Sequence, residues 1–454
     1  MDPHGRSMSR RGFLGVCAAM AAAPAAPQTR RKPNIVWMLA DDLGYGDPRC
    51  FGNKAIQTPS LDRMAAEGVR LSSFYVSAPV CSPTRAALLT GRCPQRNGLT
   101  NVIETTDRTT HLAPSEVLLP QVLAEAGYAC GLIGKWHLGE QPPYRPNRRG
   151  FGFFFGGVLG GLDFFNHTFE NRQHDLWRNG QRIHQDGEYI TDLCAAEAEA
   201  FIARHKDRPF LLFVAFHAPH VAMKHPREMQ APERWLRRYA PDGALTRRVR
   251  YQATVSAMDE AVGRVMAALA SNGLDEHTLV VFLSDNGPEP RAGGTAKPLR
   301  GTKHTLWEGG IRVPAIARWP GRIPKGARHK SCAMDVDLFP TALAAAGVEK
   351  PNGLVLDGRD ILPILTNDAA GEPRDLYWSY IRDTLRISRE KAVRRGRWKW
   401  LNGELYDLEA DIGERRNVAT THPDVARALA GAWAEWASQF PGEVRRWGKR
   451  GPKR

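Results

Sequence analysis

Short apolar runs recur along this chain, with stretches of helical period between them, and no other feature of the sequence restricts the fold as tightly. The first run is Asn34–Ala40 (NIVWMLA), closed by Asp41, Asp42 and Gly44. Others follow at 69–74, 129–133, 210–216 and 278–284. Runs this short and this apolar read as strands covered on both faces. Helical patterns fill the intervals: one opens at Thr58-Pro59 and runs to Ala66, and longer ones cover 190–205 and 251–271. Alternation of the two predicts an α/β fold, a large and mostly parallel sheet sandwiched by helices. Ligands of such sheets bind beyond the carboxyl ends of the strands.

A chain of 454 residues has room for up to three domains, or for one large α/β domain with an appendage. With 42% hydrophobic and 24% charged residues it is neither disordered, collagen-like nor a coiled coil. The strand and helix pattern extends over 33–365, read as one catalytic domain. It changes after Asp357-Gly358 and Pro363, where Asn402-Gly403, a hairpin-turn dipeptide, separates RWKWL from ELYDL. A small α+β subdomain is expected over 370–444, followed by a basic tail, 445–454. Residues 141–185 are rich in Gly, Phe, Asn and Arg without a clear period, and are expected to form long substrate-facing loops over the sheet edge.

Residues 1–26 read as an export signal. Arg10-Arg11 precedes an apolar stretch, Phe13 to Ala23, too short to span a bilayer, and Ala23-Pro24-Ala25-Ala26 offers the small residues of a cleavage site. The arrangement resembles a bacterial twin-arginine signal, which implies a periplasmic or secreted protein. No later window is apolar enough for a stable membrane span. The formal charge of +15 suits anionic partners such as nucleic acid, anionic lipid or acidic glycans, or reflects an arginine-rich coding bias. Seven cysteines without CxxC spacing argue against a zinc site and against a disulfide framework.

Two acidic pairs end predicted strands: Asp41-Asp42 after the first, Asp285-Asn286 after the run at 278–284. Gly44 and Gly287 allow the turns that bring neighbouring side chains to one point. Three carboxylates and an amide oxygen make a hard, all-oxygen set suited to Ca²⁺ or Mg²⁺. Cys81 begins a predicted helix with Pro83 in its first turn, where unpaired N–H groups favour an anion, and Arg85 faces the same way one turn on.

The run Cys81-Ser82-Pro83-Thr84-Arg85, continuing to Leu88-Leu89-Thr90-Gly91, resembles the signature of the formylglycine-dependent sulfatases. About 0.05 accidental matches to Cys-x-Pro-x-Arg are expected in a chain of this composition. Gly127 to His137 resembles the second sulfatase signature, departing at Cys130, where Ser or Thr is usual. His217-Ala218-Pro219, Lys303 ahead of Glu308-Gly309-Gly310, and the two acidic pairs match further elements, while Glu404 to Leu408 resembles the family's C-terminal subdomain. The resemblance implies an alkaline-phosphatase-like fold and sulfate-ester hydrolysis. It also implies conversion of Cys81 to Cα-formylglycine by a maturation enzyme, and a Ca²⁺ ion, with Mg²⁺ as the alternative, on Asp41, Asp42, Cys81, Asp285 and Asn286.

By the same resemblance the hydrated aldehyde at residue 81 attacks sulfur, Arg85 steadies it, and Lys135 and Lys303 bind sulfate oxygens. Lys303 or His217 protonates the leaving alcohol, and His137 takes the proton whose loss expels sulfate. His220, three residues beyond His217, is placed to reach substrate, a structural role being equally expected, and it is not counted among the catalytic residues. The substrate implied is a sulfated carbohydrate or an aryl sulfate, with no part for nucleic acid. Two rivals stand beside this reading: a formylglycine-dependent phosphodiesterase or phosphonate monoester hydrolase, and an unmodified protein that binds sulfated glycans.

Overall fold

A computed structural model describes residues 31–104, 109–170, 173–223, 228–367, 371–381 and 390–440. The expected export signal and the tail at 445–454 lie outside the described residues. The first seven strands are β1 (Asn34–Ala40), β2 (Val69–Leu71), β3 (Phe74–Tyr75), β4 (Ala129–Gly134), β5 (Phe153–Gly156), β6 (Trp177–Arg178) and β7 (Gln181–Arg182). Next come β8 (Phe210–Ala215), β9 (Thr278–Ser284), β10 (Ala315–Arg318), β11 (Ala327–His329) and β12 (Ala333–Met334). Near the end lie β13 (Asp375–Tyr380), β14 (Glu390–Arg395), β15 (Trp398–Leu401) and β16 (Glu404–Asp407).

Ten of these form one mixed sheet in the order β11-β2-β10-β9-β1-β8-β4-β5-β6-β7. Its centre is parallel: β1 lies between β8 and β9, and β4 pairs with β8 and β5. Period-two alternation explains why β1 reads as uniformly apolar. Ile35, Trp37 and Leu39 enter one core layer, and Val36, Met38 and Ala40 enter the other. Helices Ile190–Arg204 and Arg247–Ser271 cover the second layer, while helices Cys81–Thr90 and Leu338–Ala346 cover the first. Each large apolar side chain so enclosed stabilises the fold by roughly 1.5–3 kcal/mol relative to exposure.

Two expectations change. Residues 141–185 are not loops throughout, because β5, β6 and β7 lie within them and extend the sheet edge. Phe154 and Phe155 supply the strand alternation, one in each core layer. Gly156 lets β5 approach β4, since a Cβ there would stand 2.0 Å from the Gly134 carbonyl oxygen. The strand expected at 69–74 ends at Leu71, where Ser72 turns the chain by bonding to the His329 carbonyl through both its amide and its hydroxyl, so that Phe74 and Tyr75 pair instead with β12.

The C-terminal strands β13 to β16 make a separate antiparallel sheet, with the expected turn at Asn402 (φ 51°) and Gly403 (φ 99°). Helix Pro423–Ser438 packs on it through Leu429 and Trp433, against Val393, Trp400 and Leu405.

Candidate active site

Parallel register sets the first constellation. Ala40 pairs with Ser284 at the carboxyl ends of β1 and β9, so the two acidic pairs leave the sheet side by side. The Asp285 amide donates to the Ala40 carbonyl at 3.0 Å, and the Asp42 amide donates to Asp285 Oδ1 at 3.2 Å. Asp42 adopts φ 69° to turn there, and Gly287 has no substitute, because a Cβ would lie 1.8 Å from the Gly309 carbonyl oxygen. Asn286 Nδ2 donates to Asp42 Oδ1 at 2.7 Å.

Three buried cations face the three carboxylates. Lys135, just after β4, places Nζ 2.6 Å from Asp41 Oδ2. Lys303 Nζ lies 2.7 Å from Asp42 Oδ1. Arg85 donates to Asp285 Oδ2 from Nη2 at 2.8 Å and from Nε at 3.1 Å, and to the Lys135 carbonyl from Nη1 at 2.9 Å. Burial opposes the charge on Asp41 and Asp42, yet the adjacent lysines hold both below the usual carboxylate range. Burial and the repulsion of Asp41 push Asp285 up despite its pair with Arg85.

That imbalance tests the residues as a cation site. Asp41 Oδ1 and Asn286 Oδ1 are buried polar atoms without a hydrogen-bond partner, a state that ordinarily costs about 1–3 kcal/mol per group. A hard divalent cation would satisfy both and would favour the ionised form of Asp285. Its two charges would leave the otherwise balanced cluster positive, as an anionic ester requires. The fit is good.

Cys81 opens helix Cys81–Thr90, with Val80 still extended, and is 3% exposed. Its Sγ lies 3.3 Å from His137 Nδ1. His137 Nε2 lies 3.0 Å from the Ile103 carbonyl, which can only accept, so Nε2 carries the proton and Nδ1 of the neutral ring turns a lone pair to residue 81. Burial, reinforced by Lys135, lowers the His137 pKa and keeps the ring neutral. His217 is buried with both ring nitrogens unpartnered, and burial lowers its pKa too.

His220 belongs here as well, although sequence reasoning did not count it among the catalytic residues. Its Nδ1 lies 2.7 Å from the Val221 carbonyl and its Nε2 3.6 Å from Asp42 Oδ2. Donor atoms of Asp41, Asp42 and His220 all fall within 4.8 Å of one another.

A cavity of about 520 Å³ opens over this cluster, and Cys81, His137, His220 and Lys303 line it. Arg85, Lys135 and His217, singled out with them in the sequence, lie behind the lining. Tyr380, from β13, also lines the cavity, its hydroxyl 3.2 Å from His304 Nδ1. No spacing signal connects Tyr380 to the motifs, because the link is purely tertiary.

The loop carrying Lys303 is held by the C-terminal sheet. Glu308, fully buried, accepts from the Tyr75 hydroxyl at 2.6 Å, pairs with Arg312 at 3.1 Å and with Lys399 at 3.1 Å. Its amide donates to Glu414 Oε2 at 2.7 Å, and Lys399 bridges to Glu414 at 2.8 Å. Arg300, on the other side of Lys303, donates to the Glu414 carbonyl at 2.8 Å.

The chain is also similar to proteins already known. Residues 33–348 match the family model described as Sulfatase, and 302–432 match that described as N-sulphoglucosamine sulphohydrolase, C-terminal. The dog N-acetylgalactosamine-6-sulfatase is 35% identical, covering 93% of this chain and 82% of its own. Human arylsulfatase A is 34% identical, over 92% of this chain and 89% of its own. The solved structure of Ps i-CgsB in complex with k-i-k-neocarrahexaose superposes with a TM-score of 0.82 at 31% identity, over 90% of this chain and 93% of that one.

Proposed function

This chain belongs to the sulfatase family, and from that premise we propose that it removes sulfate from a sulfated glycan through a nucleophile made from Cys81. The observation that carries the reading is the placement of residue 81. It lies on the cavity lining, beside a histidine lone pair at 3.3 Å and near carboxylates with an unsatisfied buried oxygen.

Asp41, Asp42, Asp285 and Asn286 would hold Ca²⁺ or Mg²⁺, with the residue 81 side chain completing the set. Formylglycine hydrate at residue 81 would offer a hydroxyl to the ester sulfur, and a bound divalent cation would supply the positive field that favours its ionised form. Arg85 fixes Asp285 and the Lys135 backbone, a positioning role that keeps the acidic cluster in register. Lys303 Nζ, on the cavity wall, binds the sulfate group and neutralises charge on the departing oxygen. Lys135 lies behind the lining and acts through Asp41. Lys303, charged beside Asp42, donates the proton to the leaving alcohol, because His217 is neutral and lies behind the lining. His137 Nδ1 takes the residual hydroxyl proton of residue 81, which releases sulfate.

The glycan assignment draws on the relatives, one named for N-acetylgalactosamine 6-sulfate and one solved with a carrahexaose. Among the described residues no helix is long and apolar enough to cross a membrane, and export by a twin-arginine route remains part of the proposal. Mass spectrometry of the Cys81 peptide from the native host tests the mechanism: conversion lowers its mass by about 18 Da, and a peptide bearing only thiol overturns it. Comparing kcat/KM on sulfated oligosaccharides and on an aryl phosphodiester tests the reaction class, and a large phosphodiester preference would favour the rival hydrolase.

A further inference from the structure

A second group of metal-binding side chains lies outside the catalytic cavity, in the segment that follows β5. Asp186 Oδ1 stands 3.2 Å from His174 Nε2 and 3.8 Å from His167 Nδ1. The three donor atoms all lie within 4.8 Å of one another. Zinc bonded to nitrogen and oxygen at about 2.0–2.1 Å in a tetrahedron places neighbouring ligands roughly 3.3 Å apart. The two edges to Asp186 bracket that spacing, and the third, between the imidazoles, is within 4.8 Å.

Orientation of the buried ring gives an independent argument. The His167 side chain is 0% exposed, and its φ of 53° places it in a left-handed turn. Its Nε2 lies 3.1 Å from the Glu188 carbonyl, which fixes the proton on that nitrogen. Nδ1 is then a lone pair, and it is buried without a hydrogen-bond partner, facing the Asp186 carboxylate. A lone pair and a carboxylate repel each other unless a cation lies between them. Support of the far ring nitrogen by a backbone carbonyl is also how proteins orient imidazoles that bind metals. His174 can join without net proton release, because its Nδ1, likewise unpartnered, can carry the ring proton while Nε2 binds.

We propose that His167, His174 and Asp186 form a second metal site, selective for Zn²⁺-like ions, with water in the fourth position. Two imidazoles and one carboxylate favour borderline transition ions over Ca²⁺, in contrast to the all-oxygen set at Asp41, Asp42, Asp285 and Asn286. The site staples the segment that supports the catalytic wall. Asp175, between the ligands, donates its amide to the His167 carbonyl at 2.8 Å and accepts the Leu159 amide at 2.8 Å. Leu159 precedes Gly160, which packs on His137.

The test uses the full chain, stripped with a chelator and dialysed against micromolar ZnCl₂ in excess CaCl₂, so that Ca²⁺ competes at the oxygen-rich site. Metal content by mass spectrometry should show about one zinc more in the wild type than in Asp186→Ala or His174→Ala. Asp186 is 56% exposed, so its replacement tests binding without opening the core. Added Zn²⁺ should raise the thermal midpoint of the wild type and leave both variants unmoved. Equal zinc content in wild type and both variants overturns the proposal, as does a wild type that retains none.

Discussion

Gly160 offers a graded way to disturb His137 without changing a reacting group. Its φ lies outside the left-handed region, so alanine is free of backbone strain there. A Cβ would stand 2.7 Å from His137 Nε2 and 2.8 Å from Cε1. To restore an ordinary 3.4 Å contact the ring must retreat by about 0.7 Å, which displaces it relative to the Ile103 carbonyl at 3.0 Å and to residue 81. A misplacement of 1 Å costs up to ~100-fold, so 0.7 Å should lower kcat by roughly 30-fold. That is about 2 kcal/mol of the barrier. KM should fall in parallel with kcat and leave kcat/KM nearly unchanged, because the slowed step follows release of the alcohol. Since His137 is assigned to sulfate release, rapid-mixing kinetics of Gly160→Ala should show a full first burst of alcohol followed by slow turnover. A variant that melts like the wild type and keeps its kcat would refute the assignment of His137 as the base.

Other consequences are equally open to measurement. Cys81→Ser supplies a single hydroxyl with no second proton to expel sulfate, so turnover in saturating substrate should stop at no more than one alcohol per protein. Lys399→Met leaves Glu414 a buried carboxylate without its cation, while Glu308 keeps Arg312, and urea unfolding should show a loss of about 3–5 kcal/mol. Burial raises the Asp335 carboxyl to about 7, against the hydrogen bonds it accepts from Ser77 and Val336. Its contribution to stability is therefore full below the unfolded carboxylate pKa and declines as pH rises towards 7. Asp335→Asn should flatten that decline in denaturation curves collected between pH 4 and pH 8, and an unchanged slope would remove Asp335 as its source.

The parts of the fold legible in the sequence are those whose environment is uniform along the run. β1, β8 and β9 are buried on both faces, so their residues are apolar except at the ends, where Asn34, Thr278 and Ser284 stand. β5 to β7 escaped notice because they are two to four residues long, and glycines and arginines interrupt their pattern. In the site, Cys81, His137, Lys303 and the acidic pairs stand in recognisable motifs, and the structure brings them together. Depth was not legible: spacing does not say that Lys135 is sealed against Asp41 while Lys303 reaches the cavity. Nor does it reveal His220 beside Asp42 or Tyr380 in the lining, contacts made by elements distant along the chain.

The central position of β1 also sets an order of events during synthesis. Asp41 and Asp42 emerge early, but the strands that flank β1 end at Ala215 and Ser284. The loop bearing Lys303 is fastened by Lys399 and Glu414, later still. Until those segments leave the ribosome the sheet has no middle, and such non-local pairing is slow even afterwards. Cys81, nearly sealed in the finished protein, therefore stays open to a modifying enzyme throughout the interval in which most of the chain is made. On the proposed conversion of Cys81, a substitution that hastened closure of the sheet would shorten that interval and leave well-folded molecules with an unconverted thiol.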